Sequence, residues 1–285
     1  MLQFESANAV TKQVQDWKRE NLKIAFVPTM GNLHQGHLSL VEQAKTMADK
    51  VVVSIYVNPM QFGIGEDLDN YPRTLEMDKS ALEALAVDLL FLPDNQTMYP
   101  TDTESSTQVI VPGLSKILCG EFRPEHFAGV TTVVNKLFNI AQADVAIFGE
   151  KDFQQVFIIK KMVADLFMPI QIASSPTVRE KDGLAMSSRN QYLEKEQRQQ
   201  AIVIYQNLLA LKNDAMNGAD LRRLESTGVE NLLFSGFRVD YVSFRSVQTL
   251  QPADRSDGQV VLLIAAWLGK TRLIDNLIFD LPVTI

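Results

Sequence analysis

The chain has 285 residues, 46% of them hydrophobic and 21% charged, which is the composition of an ordinary globular protein large enough for two domains. Its formal net charge of -7 argues against an extended nucleic-acid-binding surface, because such surfaces are basic. The single cysteine, Cys119, excludes an intramolecular disulfide. The N-terminus lacks the pattern of a signal peptide, and the longest apolar stretch, residues 260–268, is far shorter than a membrane span. We therefore expect a cytoplasmic protein that binds neither nucleic acid nor membranes.

Apolar runs alternate with segments of helical periodicity over the first part of the chain. Strands are predicted at residues 22–27, 51–57, 88–92, 145–148 and 170–173. Helices are predicted at residues 1–20, 38–48, 74–86, 129–141 and 154–167. This alternation is typical of an α/β domain with a parallel sheet and right-handed crossovers. Since ligands bind at the carboxyl ends of such strands, we expect one pocket to be formed by the loops at residues 30–37, 58–62 and 149–152.

The sequence pattern changes near residue 176. A long helix is predicted at residues 194–216, and later apolar segments are typical of a small sheet. These predicted strands are residues 239–244, 260–267 and 277–279. We therefore predict a domain at residues 1–176 and a smaller α+β domain at residues 177–285.

The most distinctive motif, Phe26-Val-Pro-Thr-Met-Gly-Asn-Leu-His-Gln-Gly-His37, lies between the first apolar strand and its helix. Two of the chain's three histidines, His34 and His37, lie in it beside Gly31 and Gly36. A helix N-terminus presents unpaired N–H groups to a phosphate, and imidazoles can donate hydrogen bonds to phosphate oxygens. The motif therefore favours nucleotide chemistry. The alternatives are a surface loop without function and a zinc site, although the spacing differs from that of helical zinc ligands.

Two later segments carry candidate substrate-binding residues. In the turn Gly149-Glu-Lys-Asp152, Lys151 could reach a triphosphate as a point charge, unless the turn is a solvated surface feature. Gln154 and Gln155 begin the next helix, and their amides could bond a hydroxyl or carboxylate or simply face solvent.

Two arginine-containing segments are further candidates. Met186-Ser-Ser-Arg189 offers two hydroxyls and a guanidinium, a combination suited to phosphate oxygens. Arg123 and His126 lie in Arg-Pro-Glu-His-Phe, for which a surface salt bridge is the alternative interpretation.

Taken together, the motifs of the chain resemble those of the pantothenate synthetase (pantoate–β-alanine ligase) family. They occur in order along nearly the whole sequence, and their combination is far more specific than any one of them. The motifs are Phe26 to His37, Val57-Asn-Pro-Met-Gln-Phe62, Tyr71-Pro-Arg-Thr74, Arg123-Pro-Glu-His-Phe127, Phe148-Gly-Glu-Lys-Asp-Phe-Gln-Gln155, Asp182-Gly-Leu-Ala-Met-Ser-Ser-Arg-Asn190 and Arg272-Leu-Ile-Asp-Asn276.

The resemblance implies a Rossmann-like, doubly wound nucleotidyltransferase domain, a C-terminal lid and a homodimer. It also implies a two-step synthesis of pantothenate, a coenzyme A precursor. Pantoate attacks ATP to give pantoyl adenylate and pyrophosphate, and the β-alanine amine then displaces AMP. Mg²⁺ would accompany the triphosphate; Asp78 and Asp152 are candidate ligands, but the resemblance does not fix the metal site.

Residue roles are carried over from the matching motifs. The residues that the resemblance predicts to bind ATP are Met30, Gly31, Asn32, Leu33, His34, Gln35, Gly36, His37, Gly149, Glu150, Lys151, Asp152, Val178, Met186, Ser187, Ser188 and Arg189. The predicted catalytic residues are His34, His37, Lys151 and Arg189. Asn58, Gln61 and Gln155 are predicted to bind pantoate, and Gln61 is also predicted to bind β-alanine. Ser188 and Arg189 depart from the Lys-Met-Ser-Lys-Ser motif of the wider synthetase superfamily, so Arg189 and Lys151 must share the role of its lysine.

Three other functions are open from the residues alone. A nucleotidylyltransferase would share the histidine motif but should lack the Asn-Pro-Met-Gln-Phe and Phe-Gln-Gln segments. A tRNA-charging enzyme would normally carry a basic RNA-binding module. A catalytically silent nucleotide-binding regulator would bind ATP without exchanging pyrophosphate.

Overall fold

The computed structural model describes residues 1–63 and 65–282, which form two compact units. The N-terminal unit comprises Met1–Glu150 and Gln155–Pro176. The C-terminal unit comprises Lys151–Gln154 and the chain from Thr177 onward. Within the described residues, we find no helix that combines the length and apolarity needed to cross a membrane.

A six-stranded, entirely parallel sheet forms the centre of the N-terminal unit. Its strands are β1 (Leu2–Phe4), β2 (Ile24–Thr29), β3 (Lys50–Ile55), β4 (Leu89–Phe91), β5 (Val145–Gly149) and β6 (Gln171–Ser175). The strand order is β1-β4-β3-β2-β5-β6. The helices of this part of the chain are α1 (Ala7–Arg19), α2 (Gln35–Met47), α3 (Leu75–Ala84), α4 (Asn95–Met98), α5 (Cys119–Phe122), α6 (His126–Ala141) and α7 (Phe153–Asp165).

The central strands are buried on both faces, which explains their continuous apolar sequences. Ile24, Ala25, Phe26 and Val27 of β2 all have 0% exposure. Helices that follow parallel strands cover both faces of a sheet, so neither face of these strands needs polar residues. This packing confirms the predicted Rossmann-like, doubly wound α/β fold.

A three-stranded antiparallel sheet and three helices form most of the C-terminal unit. The strands are β7 (Arg238–Ser246), β8 (Gln259–Leu268) and β9 (Thr271–Asp280), paired in the order β7-β8-β9. The helices are α8 (Lys195–Gln200), α9 (Val203–Met216) and α10 (Leu221–Phe234). Leu208, Leu232 and Phe244, each with 0% exposure, belong to the core that joins the helices to the sheet. The predicted α+β character of this region is confirmed.

The structure corrects two predicted helices. The helix predicted at residues 1–20 begins only at Ala7, because Leu2–Phe4 forms β1 and pairs with β4. A three-residue strand is too short to produce a periodic signal. The helix predicted at residues 194–216 is two helices, because Ile204 donates its N–H to the carbonyl of Ala201, three residues back, and this tighter turn separates them.

The C-terminal unit also contains elements that the apolar pattern did not reveal. The strand predicted at residues 277–279 is only the end of β9, whose earlier part contains the buried polar residues Asp275 and Asn276. Helix α10 was not predicted, since Gly228 interrupts its apolar face. The Asp220 carboxylate, which caps α10 by accepting the N–H of Arg223, was a signal that could have located it.

Candidate functional site

The topology of the parallel sheet has a reversal in strand order between β2 and β5. From β2 the chain continues through α2 to β3 on one side, and from β5 through α7 to β6 on the other. Such a reversal between neighbouring strands is the point at which doubly wound sheets bind ligands. The loops after β2, β3 and β5 leave the sheet at this edge and carry the predicted residues of the N-terminal unit.

The loop after β2 is built around the carboxylate of Asp78, which is 2% exposed. Its two oxygens accept the N–H groups of Asn32 and Leu33, each at 2.8 Å. One of them also accepts the Thr74 hydroxyl at 3.0 Å. These two loop N–H groups are therefore bonded to Asp78 and not directed at a phosphate.

Gly31 allows the loop to approach Asp78 this closely. Its φ angle of +80° lies in the left-handed region, which side chains with a Cβ rarely adopt. A Cβ atom here would lie 2.9 Å from Ile55 Cγ2 and 3.1 Å from an Asp78 oxygen. The glycine is thus required by the backbone conformation and by the close packing of the loop.

The two histidines of the motif form the N-terminal cap of α2. His34 Nδ1 accepts the N–H of Gly36 at 3.1 Å, and His37 Nδ1 accepts the N–H of His34 at 3.4 Å. Their ring centroids are 4.1 Å apart. A neutral imidazole that accepts at Nδ1 carries its proton on Nε2. The neutral form of each ring would therefore present an Nε2–H donor.

A short 3₁₀ turn after β3, Pro59–Gln61, brings Gln61 to the loop after β2. The Gln61 amide lies 2.8 Å from the sulfur of Met30, and its oxygen accepts the Asn58 amide at 3.3 Å. Met30 also lines a cavity of about 570 Å³ in the N-terminal unit, together with Tyr56 and Arg73. The predicted ATP loop and a predicted pantoate residue are therefore in contact.

Asn58 is 1% exposed and is bonded to the protein through both ends of its amide. Its nitrogen donates to the carbonyl of Gly129 at 3.1 Å, and its oxygen accepts the Tyr99 hydroxyl at 2.7 Å. Burial raises the pKa of the Tyr99 phenol, so this donor keeps its proton. A Cβ atom at Gly129 would lie 2.2 Å from the Met60 carbonyl oxygen, so α6 packs directly against the turn. These contacts hold the turn that carries Gln61.

Arg123 and His126 hold the backbone of Gln61, a role that the sequence did not reveal. The Gln61 carbonyl oxygen lies 2.8 Å from His126 Nδ1 and accepts an N–H of Arg123 at 3.2 Å. Arg123 also bonds both carboxylate oxygens of Glu66, and their side chains are only 13% and 21% exposed. The surface salt bridge considered for Arg123 is thus a largely buried pair.

The Glu66 carboxyl remains ionised in this pair. Burial alone would raise its pKa, but the hydrogen bonds and positive charge of Arg123 outweigh burial and hold the pKa below its ordinary value. Arg123 is therefore kept in place to support Gln61.

The end of β5 and the start of α7 carry the remaining predicted residues of the N-terminal unit. The Glu150 carboxylate accepts the hydroxyl of Ser174, on the neighbouring strand β6, at 2.7 Å. Gln155 lies in the first turn of α7 and is half-buried. Both residues therefore lie at the carboxyl edge of the sheet.

In the C-terminal unit, two predicted ATP-binding segments are joined as a hairpin. Met186 donates its N–H to the carbonyl of Val178 at 3.0 Å, so the two residues lie opposite each other on the two arms of the hairpin. Ser187 then caps the following 3₁₀ turn by accepting the N–H of Arg189 at 3.3 Å. Ser188 is 6% exposed.

Lys151 belongs to the C-terminal unit, although Gly149 and Glu150 belong to the N-terminal one. Its carbonyl oxygen accepts the side-chain amide of Asn276, on β9, at 3.0 Å.

The sequence profile of the family described as pantoate-beta-alanine ligase matches residues 3–278. The chain belongs to this family. It is 52% identical to the pantothenate synthetase of Shewanella piezotolerans over 281 residues, which cover 99% of this chain and 100% of the relative. It is 50% identical to that of Hahella chejuensis over 278 residues, covering 97% of this chain and 98% of the relative. The family resemblance predicted from the motifs is confirmed.

Two solved structures of pantoate–β-alanine ligases share the fold. The pantothenate synthetase of Thermus thermophilus has a TM-score of 0.88 and 43% identity, with 97% of this chain and 99% of the other covered. The enzyme of Francisella tularensis has a TM-score of 0.81 and 35% identity, with 97% of each chain covered. The latter was crystallised in complex with beta-gamma ATP and beta-alanine.

The described part of this pantoate–β-alanine ligase family member contains no group of three or more histidine, cysteine, aspartate or glutamate side chains arranged to hold a metal ion. Asp78 does not fit the role of a Mg²⁺ ligand, because both of its oxygens bond the loop after β2. Asp152 is exposed and remains a predicted ligand only.

We predict that Asp78→Asn lowers the free energy of unfolding by about 1–3 kcal/mol, because an amide nitrogen cannot accept and would face one of the two loop N–H groups. Urea denaturation measures this change. The control is Asp49→Asn, since Asp49 also accepts a backbone N–H, that of Lys23, but is exposed. Water can replace the bond there, so equal losses in the two variants would show that Asp78 does not anchor the loop.

Proposed function

We propose that this protein condenses pantoate and β-alanine into pantothenate in two steps at the edge of the parallel sheet, with the residue roles given below. The family match over residues 3–278 is the observation that carries the reaction. The roles of individual residues rest on the contacts described above and on the motifs that the chain shares with the family.

The first step activates the pantoate carboxylate. A carboxylate oxygen attacks the α-phosphorus of ATP, the bond from that phosphorus to the α,β-bridging oxygen breaks, and pyrophosphate leaves. In the second step the β-alanine amine attacks the acyl carbon, AMP leaves, and the nitrogen loses a proton. Since negative charge accumulates on phosphate oxygens in the first step, donors fixed in advance should supply much of the acceleration.

His34 and His37 are proposed as two such donors. Their Nδ1 atoms accept backbone N–H groups, so each neutral ring carries the Nε2–H that can donate to an oxygen of the triphosphate. The cap fixes both rings before ATP binds, and no reorganisation is needed during the reaction. The rest of the loop from Met30 to Gly36 is proposed to contact the nucleotide.

Lys151 and Arg189 are proposed to neutralise the leaving pyrophosphate. A guanidinium can bond two phosphate oxygens at once, whereas an ammonium acts as a point charge. The other predicted ATP-binding residues, Gly149, Glu150, Asp152, Val178, Met186, Ser187 and Ser188, are also proposed to bind ATP. Mg²⁺ is proposed to enter with ATP as part of the substrate.

Gln61, Gln155 and Asn58 are proposed to form the pantoate pocket, and Gln61 is proposed to contact β-alanine as well. Pantoate carries hydroxyl groups and a carboxylate, and an amide can donate to one and accept from another without adding charge. Asn58 would act largely through the turn that it holds, because its amide is bonded to Gly129 and Tyr99.

The test is product stoichiometry with purified protein, pantoate, β-alanine and MgATP. We expect one AMP and one pyrophosphate for each pantothenate formed. Formation of ADP, or of a stable dinucleotide in place of pantothenate, would contradict the proposal and favour a different phosphoryl or nucleotidyl transfer. ATP binding without turnover would favour a regulator.

Gln155→Ala is predicted to lower kcat/KM for pantoate by about ten- to a hundredfold, because a buried polar partner left unpaired costs about 1–3 kcal/mol. ATP affinity, measured without pantoate, should hardly change. Gln61→Ala should have the same effect on kcat/KM for pantoate and should also impair the use of β-alanine. Gln15 is exposed, and the control variant Gln15→Ala should change neither kcat/KM nor ATP affinity. Equal losses of ATP and pantoate binding would refute the assignment of either glutamine to the acid pocket.

We also propose that the protein is a homodimer and acts in the cytoplasm, where ATP is available. Sedimentation equilibrium measures the oligomeric state, and a mass equal to one chain at micromolar concentration would contradict the dimer.

A further inference from the structure

The motif Arg272-Leu-Ile-Asp-Asn276 is shared with the family but has no part in the proposed chemistry. It lies in β9, where Asp275 and Asn276 are each 4% exposed. Polar side chains are costly to bury unless they are hydrogen-bonded, so their partners indicate what these residues do.

Asn276 holds the backbone of Lys151. Its side-chain nitrogen donates to the Lys151 carbonyl oxygen at 3.0 Å, across 125 positions of the chain. Both residues belong to the C-terminal unit. Fixing the peptide of Lys151 fixes the base from which its side chain extends.

Asp275 holds a second segment, through Arg179. Its carboxylate accepts two hydrogen bonds from the guanidinium, at 2.6 and 2.9 Å. It also accepts the N–H of Asn276 at 2.7 Å. Burial, which disfavours the charged form, raises the pKa of the Asp275 carboxyl, and the adjacent Arg179 opposes that shift.

Arg179 lies in the hairpin that joins Val178 to Met186. It donates to the carbonyl of Gly183 in the hairpin turn at 3.1 Å, and its guanidinium carbon lies 3.9 Å from the centre of the Tyr205 ring. The guanidinium is thus fixed by the turn, the ring and Asp275 together, and the hairpin is tied to β9.

We propose that Asp275 and Asn276 are positioning residues for adenylate formation. Adjacent residues of one strand bond the two segments of the C-terminal unit to which the proposed function assigns ATP binding. Asn276 places Lys151, and Asp275 places the hairpin with Val178 and Met186. The strand thereby sets the spacing between the lysine and the hairpin. This inference rests on the proposed role of Lys151.

Such positioning matters because the rate of a reaction depends steeply on the position of the catalytic side chains relative to the substrate. A displacement of about 1 Å can cost on the order of a hundredfold in rate, and functional side chains are held accurately when they are supported by regular secondary structure. Lys151 lies in a short 3₁₀ turn, Glu150–Asp152, between β5 and α7. The bond to β9 adds a tertiary contact that holds the backbone of this turn.

The test is a double-mutant cycle in pantoate-dependent exchange of pyrophosphate into ATP, using the full chain. Asn276→Ala should lower the maximal exchange rate by about tenfold or more and leave pantoate affinity unchanged. In the Lys151→Ala background, Asn276→Ala should have less than about a twofold further effect, because the group that it positions is gone.

The matched control is Asn207→Ala. Asn207 is also 4% exposed and also donates its amide to a backbone carbonyl, that of Gly228, at 2.9 Å. Its loss should lower the melting temperature as Asn276→Ala does. Any effect of Asn207→Ala on exchange should be the same with and without Lys151. If Asn276→Ala does not fold, Asn276→Leu, which approximates the shape of the side chain, adds no charge and cannot donate to the Lys151 carbonyl, replaces it in the cycle.

A strong Lys151→Ala effect with an additive cycle would overturn the positioning role and leave the proposed function intact. Normal exchange in Lys151→Ala would overturn both the role of Lys151 and the positioning role that depends on it. A further effect of Asn276→Ala below about twofold in the Lys151→Ala background, together with an additive Asn207 control, supports the proposal. A larger effect of Asn276→Ala in that background than in the wild type contradicts it.

Discussion

His37→Ala is expected to lower the rate of pantoyl-adenylate formation by about 10²–10³-fold, the usual cost of removing one fixed donor to a developing negative charge. His37 accepts the N–H of His34 at Nδ1, so a neutral ring carries its proton on Nε2, the atom proposed to donate to a phosphate oxygen. His37 is half-buried, and its loss should change the free energy of unfolding far less than it changes the rate. Single-turnover formation of the adenylate is the appropriate measurement.

His37→Gln is the informative companion variant. A glutamine amide can place a neutral N–H donor near the position of Nε2, so this variant should retain more activity than His37→Ala. Unchanged single-turnover rates in His37→Ala would show that the ring does not contact the reacting phosphate. Equal losses in both variants would show that the imidazole acts as more than a hydrogen-bond donor.

Lys151→Ala is expected to have an effect of similar size, about 10²-fold or more on the adenylation rate, because it removes the positive charge that is proposed to neutralise the leaving pyrophosphate. Bonds between charged partners are stronger than neutral ones, and the loss should also weaken ATP binding. The rate and the apparent ATP affinity are both obtained from the dependence of single-turnover adenylation on ATP concentration.

The control is Lys181→Ala. Lys181 lies in the other charged turn of the C-terminal unit and is exposed, while its neighbour Asp182 is paired with Arg198 at 2.7 Å. Removing Lys181 changes the net charge by the same amount but should change neither the rate nor ATP affinity. Small and equal effects in the two variants would favour the interpretation of Gly149 to Asp152 as a solvated turn.

Local sequence patterns predicted the parallel sheet and the loops at its edge, because these depend on residues close together in the chain. The apolar run of β2 reflects burial on both faces, and the glycines and histidines after it reflect a strand-to-helix connection. The same reasoning predicted the edge of the sheet at which Gln61 and Met30 meet.

The supporting contacts could not be predicted in this way, since they join distant parts of the chain. Asp78 lies 46 positions from Asn32, and Asn276 lies 125 positions from Lys151. Nothing in the local pattern shows that Asp78 is buried, and its helix position alone would suit a solvent-exposed carboxylate or a metal ligand equally well. The first part of β9 was not predicted as a strand, because its polar residues break the apolar pattern. The partners that allow these residues to be buried, such as Arg179, lie elsewhere in the sequence.

The histidine spacing predicts a phosphate-binding motif, but it did not predict the part that both rings take in capping α2. The structure adds that His34 and His37 bond backbone N–H groups of the motif itself, so the spacing is also that of a helix cap. In this cap a neutral ring carries its proton on Nε2.

The central claim is that pantoate is activated as an adenylate before β-alanine reacts. Exchange of labelled pyrophosphate into ATP, measured with pantoate and Mg²⁺ but without β-alanine, tests it most directly. We predict rapid exchange that depends on pantoate and is abolished when pantoate is omitted. Exchange that requires β-alanine, or no exchange by protein that forms pantothenate at its normal rate, would contradict it.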